Sequence, residues 1–342
     1  MTAVNAMLAI VVLSLLAYAL LAGADFGGGF WDLVAGWSGK KERDPDGQRS
    51  LIAASLGPVW EANHVWLIFV IVSVFSAFPA AFGTIATSLE LPLGFALVGI
   101  VLRGAAYVYR AYGDGAALPD QWWGRIFAGA SVLTPFMFGV SGAALATGTL
   151  GPRSIPTEPF RSTFALTAGV LAVAVTAFLA AVYLCHNAAQ SPATAHLVPV
   201  FRRKAMIAAV VSGAVAVAML PFLYRDAPIV AARFTDRSIP FAAASAACGI
   251  ASLVVLWRER YVVARITAAL AVATVLGGWA AAQYPDLLVS TGGVDAYSAV
   301  QSAAAPQSVD AMLIAMCLGM AVVLPSFYLL LKIFSRPAVD EH

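Results

Sequence analysis

The sequence predicts an all-α polytopic membrane protein of nine transmembrane helices, and three observations carry that prediction. Hydrophobic residues fill 61% of the 342 positions and charged ones 11%, a balance far from that of water-soluble domains. Apolar runs long enough to cross a hydrocarbon core about 30 Å thick recur at 4–24, 51–77, 79–102, 122–149, 160–185, 202–224, 239–257, 262–282 and 309–334. Basic residues also alternate in density from one connection to the next. With the N-terminus outside, fifteen of the 20 face inward: Lys40, Lys41, Arg43, Arg49, Arg103, Arg110, Arg125, Arg202, Arg203, Lys204, Arg258, Arg260, Arg265, Lys332 and Arg336. Arg153, Arg161, Arg225, Arg233 and Arg237 face outward. That bias satisfies the positive-inside rule and needs an odd number of spans, with the C-terminus cytoplasmic.

Composition also excludes classes. A net charge of +2 gives no case for nucleic-acid binding. Cys185, Cys248 and Cys317 lie in three different apolar runs without metal-ligand spacing, and read as small core residues. No Lys or Arg precedes Lys40, so the first run lacks the basic leader of a cleavable signal and reads as a retained helix.

Helix 1 runs inward and ends in Gly23-Ala24-Asp25-Phe26-Gly27-Gly28-Gly29-Phe30-Trp31-Asp32. Adjacent glycines weaken a helix and let another backbone come close, which predicts a packed helix end near the inner interface. Asp25 sits there, either as an interfacial residue in water or as part of a polar site. Neither this run nor Gly36-Trp37-Ser38-Gly39-Lys40 has the spacing of a phosphate-binding loop.

The second run holds the densest polar cluster, Gly57-Pro58-Val59-Trp60-Glu61-Ala62-Asn63-His64-Val65-Trp66. At 1.5 Å per residue from Leu51, Glu61 lies roughly 15 Å deep, near the middle of the hydrocarbon. A charged residue there costs about 2.5 to 3.5 kcal/mol on insertion scales, so these groups should face protein or water. On a helix, Glu61, Asn63 and His64 form one polar flank. A carboxyl desolvated to that depth suits proton transfer, or else rests protonated in a hydrogen bond to a neighbouring helix.

The third run returns inward. It puts Glu90 at a similar depth, as a partner for Glu61 or a lone protonated acid, with a kink expected at Pro92. Arg103 closes the run at the inner face, where an Asp25–Arg103 pair would form the mouth of a polar path. Plain anchoring of Arg103 and Arg110 at the interface is the competing reading. Helix 4, with Trp122, Trp123 and Pro135, reads as packing. Arg203-Lys204-Ala205-Met206-Ile207-Ala208-Ala209 at the start of helix 6 faintly echoes Gln48-Arg49-Ser50-Leu51-Ile52-Ala53-Ala54 at helix 2. The echo predicts two four-helix bundles in a parallel repeat plus a ninth helix. The divisions are then 1–150, a first half bearing the polar inner-side motifs, 151–282, a second half, and 283–342, an outer loop, the ninth helix and a cytoplasmic tail. The outer stretch 283–308 is long for a bundle connection and reads as a docking surface.

These motifs, together with Leu102-Arg103-Gly104-Ala105-Ala106-Tyr107-Val108-Tyr109-Arg110 and the Ala-Ala-Pro segment before the last helix, resemble subunit II of the cytochrome bd-type quinol oxidases. The motifs lie mostly in the first 110 residues, while the helix layout covers the whole chain. The resemblance implies part of a respiratory terminal oxidase in a bacterial or archaeal cytoplasmic membrane, one that oxidises quinol and reduces O2 to water. It implies that haems b558, b595 and d belong to subunit I, the partner. This chain binds none of them directly, stabilises that partner and contributes an inner-side proton path. Small single-helix accessory subunits, membrane lipid and a quinone held against subunit II also fit the family, and no residue pattern here places them. Carried over by position, the path residues are Asp25, Glu61 and Arg103, joined by Asn63 and His64, with Glu90 as a weaker candidate. Trp60 and Trp66 fall on motif positions suited to packing or to an oxygen route. Many relatives carry an acid where Val108 stands, so any role for that acid is missing here. The rival from another class is a proton-coupled secondary transporter, which would show broken helices at matching places in both halves. A haem ligand role for His64 and His186 fits poorly, because the two sit at different depths in different halves.

Overall fold

The computed structural model describes residues 2–35, 44–56, 60–112, 120–289 and 297–334. Nearly all of them are helical. In chain order the helices are α1 (Thr2–Ala35), α2 (Pro45–Leu56), α3 (Trp60–Ala77), α4 (Pro79–Ser88), α5 (Glu90–Tyr112), α6 (Asp120–Ala144) and α7 (Thr163–Ala188). There follow α8 (Val198–Ala218), α9 (Leu220–Asp226), α10 (Pro228–Arg233), α11 (Ile239–Trp257), α12 (Tyr261–Gln283), α13 (Ala299–Ser302) and α14 (Pro306–Phe334). Between α12 and α13 a short β1 (Asp286–Leu288) pairs antiparallel with β2 (Tyr297–Ser298).

Among the described residues, eight stretches are long and apolar enough to cross a membrane, and Asn63–Ala77 is a shorter apolar helix. The predicted run 51–77 is covered by the end of α2 and by α3, and its residues 57–59 lie outside the described ones. Two expected helix ends are corrected. The glycine run does not end helix 1, because α1 continues through it to Ala35. Nor does Arg103 close helix 3, since α5 runs on to Tyr112. The kink expected from Pro92 is present as a break at Leu89, between α4 and α5, in the turn before Pro92: the proline has no N–H for the Ser88 carbonyl, and it stands in the first turn of α5. Pro221 and Pro228 open α9 and α10 in the same way.

The glycines of α1 serve close approach. A Cβ on Gly27 would collide with the Thr176 carbonyl of α7, and one on Gly29 with Ser131 of α6. α1 and α7 therefore meet at backbone distance, and α6 packs on both. Trp31 Nε1 donates to the Ala177 carbonyl at 2.7 Å across the same seam. The largest apolar cluster is built on this α7 face and extends to α2, α8, α11 and α12, with Phe178, Leu179, Leu184, Phe201 and Leu256 among its buried members. A second cluster lies under the α12–α13 connection, around Val140, Leu150, Phe164, Leu223 and Leu288.

The described residues between α12 and α14 are fastened at both ends. Arg233 donates to Asp286 at 2.7 Å and Val289 N–H to the Leu145 carbonyl at 3.0 Å, and after α13 the Ala304 N–H donates to the Ala77 carbonyl at 2.9 Å. The lead-in to α2 is tied to the segment before α8 by Asp44 and His196, 2.9 Å apart. The His196 hydrogen bond, helped by the Gly47 N–H, holds the Asp44 carboxyl below the usual range.

Because α1 meets α7 without room for a side chain, Gly27→Val should destabilise the protein by overpacking, on the order of 1 to 3 kcal/mol. Gly94→Val, where a Cβ meets nothing within 4 Å, should leave the detergent-solubilised melting temperature nearly unchanged. Thermal unfolding of the two variants side by side checks this.

Candidate functional site

The site begins with Asp25, placed in mid-helix by the extension of α1 and turned toward α5 and α6. It is 8% exposed, so the water-facing interfacial reading fails. Arg103, 3% exposed, reaches it from α5: Nη2 donates to Asp25 Oδ1 at 2.7 Å and to the Asp25 carbonyl at 3.2 Å. Nε donates to Ser131 Oγ at 3.0 Å, and Ser131 in turn donates to the Phe127 carbonyl at 2.7 Å. The guanidinium also lies 5.1 Å from the Phe26 ring centre and 4.8 Å from that of Phe127. Buried charges persist only when paired and hydrogen-bonded, and an arginine between two aromatic faces gains cation–π attraction as well. Arg103 is therefore a component of the buried site and not an interfacial anchor.

One rung further along, Arg110 Nη1 donates to Asp32 Oδ2 at 3.3 Å, and Arg49 Nε lies 3.9 Å from Asp32 Oδ1. Asp32 is 5% exposed. Sequence reasoning did not select it, although the signal was available. Asp25 and Asp32 are seven apart on α1, as Arg103 and Arg110 are on α5, and seven residues return to one helix face after two turns. Ser131 had no comparable signal, since a lone serine on an apolar helix usually bonds its own backbone.

On the other side of α1, α3 brings Asn63 and Trp66 inward, 4% and 6% exposed. The His64 and Tyr18 rings are 6.0 Å apart, and Trp66 meets Phe327 edge-on at 6.0 Å. Trp66, Tyr18, Ala22 and Phe26 form one buried cluster, which continues to the Arg103 site through Phe26. Four buried atoms here, Asn63 Oδ1, Trp66 Nε1, Tyr18 Oη and Ser14 Oγ, have no hydrogen-bond partner among the described residues. Such atoms are costly unless water or another chain satisfies them.

The side chains of Trp60 and Glu61 lie outside the described residues, although both belong to α3. The expected burial of Glu90 is corrected: it is exposed on this chain, in the first turn of α5. The break at Leu89 makes it a helix N-terminal residue, where a negative charge complements the helix dipole.

What this arrangement can do chemically is hold ionisable groups in register inside an apolar bundle, a feature of membrane proteins that move protons or ions. Comparison with known proteins narrows the class. The family model described as cytochrome bd terminal oxidase subunit II matches residues 4–334. The chain belongs to that family. A cytochrome bd ubiquinol oxidase subunit 2 of Bacillus subtilis is 31% identical over 120 residues, 35% of this chain and 33% of that protein. A probable cytochrome oxidase subunit 2 of Haemophilus influenzae is 31% identical over 111 residues, 32% of this chain and 28% of that protein. These alignments thus span about a third of each relative. The fold resembles a chain in the structure of bd oxidase from Geobacillus thermodenitrificans, with a TM-score of 0.76 and 20% identity, covering 98% of this chain and 99% of that one.

Removing one member of a buried pair leaves the other charged and unpaired, at a cost of about 3 to 5 kcal/mol. Arg103→Ala should therefore lower the melting temperature of the purified protein markedly. The double variant Asp25→Asn/Arg103→Gln should recover part of that loss. An Arg103→Ala protein as stable as the parent would mean the pair is not buried in the membrane.

Proposed function

We propose that this chain is the haem-free subunit II of a bd-type quinol:O2 oxidoreductase, and that it stabilises a haem-bearing subunit I and supplies an inner-side proton path. The buried Asp25–Arg103 pair, two turns from Asp32–Arg110, is the observation that carries this reading. Reduction of O2 to water consumes protons, and a membrane enzyme that draws them from the inner side needs titratable or water-ordering groups at intervals through the apolar layer. Asp25, Asn63 and His64, with Glu61 from the start of α3, supply such groups. Arg103, which stays protonated, orients the Asp25 carboxylate and neutralises its charge. Trp66, with Trp60, serves packing or an oxygen route.

Haems b558, b595 and d would sit in subunit I, with quinol oxidised there, and a quinone, lipid or small single-helix subunits would bind against this chain. The reading includes nine spans, α2 and α3 together making the second, the N-terminus outside and the C-terminus cytoplasmic. It also divides the chain into two four-helix halves at 1–150 and 151–282, with 283–342 adding the outer segment and ninth helix. The basic residues on the inward connections support that orientation.

Reduced-minus-oxidised difference spectra test the assignment of the haems. The chain purified alone should carry none, and b- and d-type bands should appear with its co-purified partner. In the complex, Glu61→Gln and Asp25→Asn should each lower quinol-driven oxygen consumption on the order of tenfold or more while leaving haem content intact. Unchanged turnover in both would reduce these acids to structural hydrogen bonds.

A further inference from the structure

We propose that Asp32, framed by Arg110 and Arg49, is the inlet of the proton path, the group that takes protons from the inner aqueous phase and passes them toward Asp25. The inference rests on the proton-path reading above and adds a site to it. Asp25 and Asp32 lie on one face of α1, about 10 Å apart along the axis. Their arginines share one face of α5 in the same order, which makes a two-rung ladder. Phe127 joins the rungs, since Arg103 and Arg110 lie 4.8 and 5.5 Å from the centre of its ring.

Exposure rises along the cations of the ladder and on to the surface, while both acids stay buried, Asp25 at 8% and Asp32 at 5%. The Arg103 side chain is 3% exposed, Arg110 30%, Arg49 41%, and Asp46, 3.8 Å from Arg49, 96%. Asp32 is the buried acid at the point where this gradient meets water. Its Oδ2 accepts from Arg110. Among the described residues Oδ1 accepts no hydrogen bond, since Arg49 at 3.9 Å is too distant for one. In the proposal that oxygen is the one that meets water.

The charged groups at this level are Arg49 and Asp46 from α2, Arg110 from α5 and Lys204 from α8, whose ammonium lies 4.9 Å from the Trp31 ring centre. Arg125 of α6 lies over its own Trp122. Among the described residues cations outnumber anions here, so a mouth without Asp32 would repel hydronium. A carboxylate between the cations offsets that repulsion. The step balances without a redox partner. The Asp32 carboxylate accepts a proton from hydronium, releasing water, and the carboxylic acid returns it to a water on the Asp25 side. The arginines remain charged throughout.

The test uses the intact oxidase in membranes, following quinol-driven oxygen consumption across pH, with haem content as the check on assembly. Asp32→Asn should lower turnover on the order of tenfold and move the alkaline limb of the pH profile to lower pH, because proton collection becomes limiting as hydronium grows scarce. Asp32→Glu should restore most of both. Parental turnover, or a uniform reduction with the limb unmoved, overturns the proposal and leaves Asp32 as a structural ion pair. If Asp32→Asn does not assemble, Asp32→Asn/Arg110→Gln removes the stranded charge and is judged by the same two outcomes. Asp25→Asn, run alongside, separates the hypotheses. A loss there without one at Asp32 puts the inlet elsewhere, and no loss at either position removes the proton path itself.

Discussion

A carboxylate and a guanidinium inside an apolar bundle constrain everything around them. Left alone, either charge is expensive away from water, and each is tolerable only with its partner and further hydrogen bonds in place. Arg103 meets that condition through two neighbouring helices at once: Asp25 and the Phe26 ring from α1, Ser131 and the Phe127 ring from α6. α1, α5 and α6 are thereby held in one relative position. Moving any of them by a turn would strand a charge.

The glycine run of α1 makes that arrangement possible. It brings α1 against α7 and α6 at a distance no side chain allows, so that Asp25 is enclosed by protein on the side facing Ser131. The same extension of α1 carries Asp32 to Arg110 and Arg49. Close packing and the polar ladder are thus two consequences of one helix continuing through glycines that would weaken it in isolation.

The site reads differently at its two ends. Around Asp25 and Asp32 the polar atoms are largely paired with protein. Along α1 and α3, around Tyr18, Asn63 and Trp66, several buried polar atoms have no partner among the described residues. Buried donors and acceptors concentrated in one seam are the kind that ordered water satisfies. One end built of ion pairs leading to a seam suited to water accords with the role proposed for this subunit.

Much of this was legible in the sequence. Hydropathy gave the helical membrane class, because backbone groups in hydrocarbon must be satisfied within a helix. Local motifs picked out Asp25, Asn63, Trp66 and Arg103, because polar residues in an apolar run are costly and so conspicuous. What the sequence could not decide was where helices continue or break. Glycines at 27 to 29 read as a helix end, yet tertiary packing carried α1 through them. A chain read as one helix across Glu90 broke at Leu89 and left that acid exposed. Asp32 did carry a signal in its seven-residue spacing from Asp25, but that spacing matters only once α1 continues past the glycines and turns this face to α5. Propensity and hydropathy are properties of single residues and short windows, whereas charge pairing joins residues 78 positions apart and close approach joins residues still further apart, and only the folded bundle brings those together.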